Sequence, residues 1–397
     1  MSINAIFQNG LSGLAMAARG TEIVSANIAN AMTEGYGTRS VELGAVSVDG
    51  RGAGVRVLGI TRASDPFLLA DRRLADAEMA EAETRATFFA KAEAAIGEPG
   101  QPHALAGRLA AFEAALVRAS GDPGATPRLA EVHDTARDVV AGFAEISQSL
   151  QPRRVEADRA IAAGVERLQA GLAHVARLNT DITAARAAGR DATALLDQRQ
   201  ASIDGIADLV PLRLLERPNG QVALYSQTGA VLLDGSPAQL GFAPTPVITA
   251  DMTLASGALS GLSINGTAID TGAARGPLAG GRLAALFAER DVHAPAVQEG
   301  LDQLARDLVE RFQSPGLDAT LPAGAAGLFT DGGAAFVAGT SVQEGLSGRL
   351  ALNPAADPDA GGALWRLRSG LGAATPGAPG DSALLLGFVD VLGAVRP

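Results

Sequence analysis

Residues 2–31 read SINAIFQNGLSGLAMAARGTEIVSANIANA, and their apolar and small side chains recur at alternating spacings of four and three. This period is typical of a helix whose apolar seam packs on another helix. Thr21 interrupts the seam, while Ile6 and Leu11 widen it. Such a seam must be buried to be stable in water, and its periodicity leaves open whether its own domain or another chain covers it. The predicted seam positions are Ile3, Phe7, Gly10, Leu14, Ala17, Val24 and Ile28.

A turn and two extended segments follow this helix. Residues 33–37, Thr-Glu-Gly-Tyr-Gly, have turn chemistry, because glycine adopts positive φ without strain. Residues 40–48 then alternate as a strand does, and the extended pattern resumes at Val55 and Val57 after a second turn at 49–52.

Helical patterns dominate the next part of the chain. Asp65 is predicted to cap a helix that has Pro66 at its first position. Pro152 predicts a break or a kink in the longest of these helices. Because the helices are long and their links short, they favour an elongated bundle. The predicted helices cover about 67–96, 104–119, 127–188 and 192–209.

The composition changes after Val210, where short β-like pieces alternate with glycine, proline and asparagine. Residues 212–215 and 222–225, joined by a turn at 218–220, predict a hairpin. The predicted fold is therefore mainly α with a smaller β part, elongated and multi-domain. Its predicted domains are an axial helix with an extended segment at 1–66, a helical bundle at 67–210, an inserted small β domain at 211–280, and returning helices with a Gly/Ala/Pro-rich segment at 281–397.

The composition argues against several classes of function. The 397 residues are 47% hydrophobic but only 4% aromatic, which disfavours a large aromatic-lined ligand pocket. The net charge of −11 without a basic cluster makes nucleic acid an unexpected partner. The absence of cysteine excludes disulfides and thiol catalysis. No apolar run is long enough for a bilayer, and no Sec-type signal is expected at the N-terminus.

Candidate catalytic and cofactor sites are hard to find in the sequence. None of the four histidines has a second ligand at metal spacing, and His133 and Asp134 are expected on different faces of a helix. The Gly-x-Gly at 52–54 opens no helix, so a nucleotide fingerprint is not expected. We therefore predict no cofactor, no metal and no enzymatic activity.

Residues 25–36, SANIANAMTEGY, resemble the N-terminal motif of the flagellar rod, hook and hook-associated proteins. That axial family has a helix ending in S-x-N-I-A-N, then T-x-G-Y or T-x-G-F, then a basic residue. The residues that match the motif are Ser25, Asn27, Ile28, Asn30, Thr33, Gly35, Tyr36 and Arg39.

Later segments resemble the hook-associated protein 1 branch of that family. The resemblance covers nearly the whole chain, whereas hook and distal-rod proteins follow the motif with β domains rather than with a long helical region. The segments that carry it are 52–62 with 65–68, 112–132, 178–182, 195–199, 280–283, 290–291, 301–305, 327–329 and 352–354.

The resemblance implies a secreted structural subunit at the junction of the flagellar hook and filament, exported by the flagellar type III apparatus. It implies as partners a ring of identical subunits, the hook protein, a second hook-associated protein and an export chaperone, with no membrane or nucleic acid. We expect Ile3, Phe7, Leu14, Val24 and Ile28 to form the axial packing seam, and Asn27, Asn30, Gly35 and Tyr36 to set the bend into the strand. Alternatives are another axial protein, a secreted hydrolase with a helical domain, or a helical adhesin.

One departure from the family concerns the C-terminal segment. Family members usually end in a long amphipathic helix that pairs with the N-terminal one. Here the apolar stretch from Ala383 predicts only a few helical turns. The expectation is that the product is truncated or that the seam has another partner.

Overall fold

The computed structural model describes residues 3–33, 35–48, 51–272 and 276–395, without the side chains at positions 4, 5, 48 and 51. Helices predominate, which confirms a mainly α fold with a smaller β part. The helices are α1 (Ile3–Ala29), α2 (Pro66–Ile96), α3 (Leu105–Gly121), α4 (Thr126–Ala187), α5 (Thr193–Ala207), α6 (Gly281–Ala288), α7 (Ala294–Phe312), α8 (Leu346–Arg349), α9 (Arg366–Ser369) and α10 (Ala383–Gly393).

The strands are short except for the first two, and every pairing is antiparallel. They form the hairpin β1-β2, a four-stranded sheet in the order β3-β4-β5-β6, a three-stranded sheet β7-β8-β9, and the pair β10-β11. The strands are β1 (Arg39–Val48), β2 (Arg51–Arg62), β3 (Leu212–Glu216), β4 (Val222–Ser226), β5 (Val231–Asp234), β6 (Ser236–Pro237), β7 (Leu240–Gly241), β8 (Leu262–Ile264), β9 (Thr267–Ile269), β10 (Phe329–Asp331) and β11 (Leu350–Leu352).

Several local predictions are confirmed. The Asp65 carboxylate accepts hydrogen bonds from the backbone N–H groups of Phe67 and Leu68, as a helix cap does. The hairpin predicted around residues 218–220 is β3-β4. Of the break or kink predicted at Pro152, the break does not occur, since α4 continues through that residue as one helix.

The chain divides into two compact units. Unit 1 comprises Met1–Thr84, Ala160–Ala243 and Gly261–Leu286. Within it, α4 lies close to α5 and α6, because glycines leave room at the contacts. A methyl group on Gly171 would lie 2.5 Å from Ile206 Cγ2, and one on Gly164 would lie 2.7 Å from Leu283 Cδ2. A side chain at either glycine would have to displace the side chain of Ile206 or of Leu283.

Unit 2 comprises Arg85–Arg159, Pro244–Ser260 and Phe287–Pro397. Its core joins α3, the first part of α4, α7 and α10 to the β10-β11 pair. Four phenylalanines meet at the centre with ring centroids 5.0–5.9 Å apart, so much of the apolar burial is concentrated there. They are Phe112, Phe312, Phe329 and Phe388.

Buried charges fix the segment 244–260 within unit 2. The Arg154 guanidinium donates to the backbone carbonyls of Thr249 and Met252. Asp158 accepts from the Thr245 N–H and forms an ion pair with Arg290, and both side chains of the pair are fully buried. Because an unpaired buried charge is strongly destabilising, each member of this network depends on the others.

Candidate functional site

The predicted apolar seam lies on the exposed face of α1. The five seam residues have 55–74% of their surface accessible, although all are large and apolar. Leu11 and Ile6, which widen the stripe, are exposed as well. A contiguous apolar stripe left in water favours an interaction surface. The exposed seam residues are Ile3, Phe7, Leu14, Val24 and Ile28.

The β1-β2 hairpin packs against α1 and covers a different part of its surface. The Ser12 hydroxyl accepts a hydrogen bond from the Val55 N–H at 3.3 Å. Gly54 has a φ of +101°, and a methyl group there would lie 2.4 Å from Ser12 Oγ, so a side chain would be excluded. Ile23 is buried. The hairpin therefore holds α1 and leaves the seam uncovered.

The motif residue Asn27 connects the end of α1 to the start of β1. Its Oδ1 accepts hydrogen bonds from the Arg39 N–H at 3.0 Å and from the Tyr36 hydroxyl at 2.9 Å. Its Nδ2 donates to the Arg39 carbonyl at 2.8 Å. The Arg39 guanidinium lies 4.9 Å from the centre of the Tyr36 ring, within cation–π distance. Three motif residues that are separated in sequence thus form one contact.

The other motif residues lie apart from this contact. Asn30 donates to the Ala26 carbonyl and accepts from the Thr33 hydroxyl, so it closes the last turn of α1. Gly35 has a φ of +78°, which favours glycine there. Ser25 is exposed. The motif therefore has two parts: Asn27 links α1 to the hairpin, and Asn30 ends the helix locally.

Asp197 on α5 is a residue of this site that sequence reasoning missed. Its carboxylate accepts from the Gly37 N–H at 3.1 Å, from Arg39 Nη2 at 3.0 Å and from Arg62 Nε at 2.5 Å. Gln200 also accepts from Arg62. Asp197 thereby anchors both ends of the hairpin to α5. Residues 195–199 stand out in the sequence only through their family resemblance, and nothing in their spacing indicates a partner more than a hundred residues away.

Within the described ranges, no three His, Cys, Asp or Glu side chains are grouped as metal ligands. None of the helices in those ranges is both long and apolar enough to cross a bilayer.

The expectation that His133 and Asp134 lie on different faces of the helix is wrong. His133 Nδ1 lies 3.0 Å from Asp134 Oδ1, and His133 Nε2 lies 3.2 Å from Asp357 Oδ1. These contacts satisfy a buried histidine.

Comparison with known proteins places these features in a family. The model of the "Flagellar hook-associated protein FlgK helical domain" matches residues 89–343, which is more than half of the chain. The chain belongs to the FlgK family. A second model, described as "Flagella basal body rod protein", matches residues 7–36, which include most of α1 and the motif.

Individual proteins of the FlgK family are also similar to this chain. Flagellar hook-associated protein 1 of Salmonella typhimurium is 27% identical over 255 residues, which cover 61% of this chain and 45% of the relative. The Salmonella typhi protein of the same name matches equally. The chain spans about half the length of these relatives.

A solved structure shows the same fold. The flagellar hook junction protein FlgK from Burkholderia pseudomallei matches with a TM-score of 0.55 and 16% identity, over 66% of this chain and 47% of that one. The alternative of a hook or distal-rod protein is wrong, since it required residues 67–209 to lack helix, and α2 to α5 fill that region.

Proposed function

We propose that this chain is a structural subunit of the bacterial flagellum that joins hook to filament and polymerises through the α1 seam. The exposed seam carries the proposal. Burial of five large apolar side chains on a partner gives a strong, non-directional driving force. The hairpin and Asp197 contacts present the seam on a defined surface, which limits the ordering entropy that assembly must overcome.

The proposed assembly is a ring of identical subunits between the hook protein and a second hook-associated protein. Its subunits reach this place through the flagellar type III export apparatus, with an export chaperone as a transient partner. Family membership supports these partners, since the Salmonella relatives are named hook-associated proteins and the Burkholderia relative is named a flagellar hook junction protein. We propose burial between chains as the answer to the question that the periodicity of residues 2–31 left open.

Substitution within the seam tests the proposal without removing the N-terminal segment. Phe7→Ser combined with Leu14→Ser is produced in cells that lack the chromosomal gene, and the protein is counted at hook tips by immuno-electron microscopy. We expect export into the medium to persist and incorporation to fall by about tenfold or more, because two buried apolar contacts are lost.

The matched control carries the same kind of change elsewhere. Val117→Ser with Leu304→Ser alters two exposed apolar residues on helices of unit 2, and this variant should be incorporated normally. Normal incorporation of the seam variant would contradict polymerisation through α1. Equal loss of incorporation in both variants would show a general effect of removing exposed apolar side chains.

A further inference from the structure

Among the described residues, the strand β3 forms an edge of its sheet, with no strand on its outer side. Leu212–Glu216 pairs only with Val222–Ser226 of β4, in the sheet order β3-β4-β5-β6. Leu214 and Leu215 are 39% and 49% exposed. Natural proteins usually cover or shorten an apolar edge of this kind, because its free backbone groups pair with other chains.

The hydrogen-bond alternation shows which backbone groups are free. The Arg217 N–H donates to the Gln221 carbonyl, and the Gln227 N–H donates to the Pro211 carbonyl. Hydrogen-bonded pairs recur every second residue in an antiparallel ladder. The N–H and C=O groups of residues 213 and 215 therefore bond to β4, and those of residues 212, 214 and 216 point away from β4.

A second observation supports this assignment of the ladder. Val222, which lies opposite Glu216, has both its N–H and its C=O bonded to the Asn179 side chain, on the side away from β3. The N–H and C=O groups of Glu216, which lies opposite Val222, therefore point away from β4 as well. Within the part of the chain that the structure describes, the N–H and C=O groups of residues 212, 214 and 216 have no hydrogen-bond partner beyond the sheet.

A cleft of about 170 Å³ adjoins this edge within unit 1. The side chains of Leu212, Leu214 and Glu216 line one part of it. Leu69 from α2 and Ile203 from α5 line other parts. A strand added to β3 would direct alternate side chains to the same side as these three β3 residues, which is the side of the cleft.

Arginines give the cleft a charge preference. Arg62 and Arg73 line it but are paired with Asp197 and Asp204. Arg199 also lines it and donates Nη1 to the Asn179 side chain and to the Gly220 carbonyl.

Arg199 has no carboxylate within ion-pair distance among the described residues. Burial, together with nearby Arg186, lowers its pKa to about 10, and Glu216 compensates only in part. The cleft therefore contains one positive charge that a carboxylate would stabilise.

We propose that the β3 edge and this cleft form a docking site for an extended peptide segment of a partner protein. The segment adds to the sheet as a strand on the outer side of β3. It places a carboxylate side chain toward Arg199, with apolar side chains on either side of it. Backbone pairing supplies affinity and the cleft supplies side-chain selectivity, as in other strand-addition complexes. This surface does not involve α1, so it stands independently of the proposed function.

A fluorescein-labelled peptide tests the site by fluorescence anisotropy with the full chain. The peptide carries valine, glutamate and valine at alternate positions between threonines, and a matched peptide has glutamine in place of glutamate. We expect saturable binding of the glutamate peptide below about 1 mM and about tenfold weaker binding of the glutamine peptide.

Three variants separate the contribution of backbone pairing from that of the charge. Leu214→Pro removes an outward N–H that the native sheet does not use, and Leu214→Val retains it; proline is tolerated at such edge positions. We expect Leu214→Pro to bind the glutamate peptide at least about tenfold more weakly than Leu214→Val does, because only the valine variant keeps the N–H. In Arg199→Gln, the difference between the two peptides should disappear. Far-UV circular dichroism and thermal melting check that each variant is folded.

Three outcomes would overturn this docking site. The first is no binding at about 1 mM, and the second is equal binding to the proline and valine variants. In the third, the chain self-associates, the proline variant abolishes that self-association, and the peptide does not bind; a second copy would then occupy the edge instead of a partner peptide.

Discussion

The helices α1 and α3 both carry an apolar stripe, yet only the stripe of α3 is buried. Phe112 on α3 is fully buried among other phenylalanines, whereas Phe7 on α1 is 74% exposed. The difference lies in the neighbours. α3 packs against α10 within a core that also contains α7. Among the described residues, the main contacts of α1 are with the β1-β2 hairpin, which leaves the apolar side of α1 open. Periodicity therefore identifies an apolar stripe without identifying what covers it.

The same substitution in both helices is the strongest test of this contrast. Phe112→Ala should lower the free energy of unfolding by about 3–5 kcal/mol, because it leaves a cavity among packed rings. Phe7→Ala should change it by no more than about 0.5 kcal/mol, because the ring is already in water. Urea unfolding followed by circular dichroism measures both. Comparable destabilisation by the two variants would mean that the chain covers its own seam in solution.

Two asparagines at the C-terminal end of α1, Asn27 and Asn30, provide a second comparison with a smaller expected effect. Asn27→Ala removes three hydrogen bonds that join α1 to residues 36 and 39, and should destabilise the hairpin by about 1–3 kcal/mol. Asn30→Ala removes contacts within the last turn only, and we expect about 0.5 kcal/mol or less.

Hydrogen exchange of the amides in β1 and β2 measures this local opening. Faster exchange in the Asn27 variant than in the Asn30 variant is the expected result. Equal protection in the two would contradict a role for Asn27 in holding the hairpin.

Within unit 2, the packing of residues 85–96 of α2 against His293 should depend on pH. Phe88 is buried beside His293, whose ring also lies 5.1 Å from that of Phe89. Burial, and then the charge of Arg85, lowers the pKa of His293 below its usual 6.5. As the pH falls through that value, the unfolded chain takes up the proton first, so the contribution of His293 to stability is lost.

Melting temperatures between about pH 8 and pH 5 measure this loss, with His293→Gln as the control. We expect the wild-type melting temperature to fall more steeply below about pH 6.5 than that of the variant, because only the wild type has this histidine. Parallel curves would contradict a role for His293. The effect should be the smallest of the three, since the ring is only partly buried.

Local sequence patterns predicted the helices and strands well. They did not identify residues that contact each other across long sequence distances. The periodicity of residues 2–31 and the Asp65-Pro66 start correspond to α1 and to the cap of α2. The Asn27 contact lies within 12 residues of sequence, and its motif marked the residues involved. Asp197 and the Arg290–Asp158 pair were missed, because their partners lie more than 130 residues away and no spacing rule links them.

The amino-acid sequence by itself determined where helices begin, which positions are apolar and which family motif the chain carries, because these depend on residues a few positions apart. Only the tertiary structure decided which apolar stripe is buried, which strand edge stays open and which carboxylate anchors the hairpin. Those outcomes depend on which distant segments occupy the same space, and packing selects among many sequence-compatible arrangements.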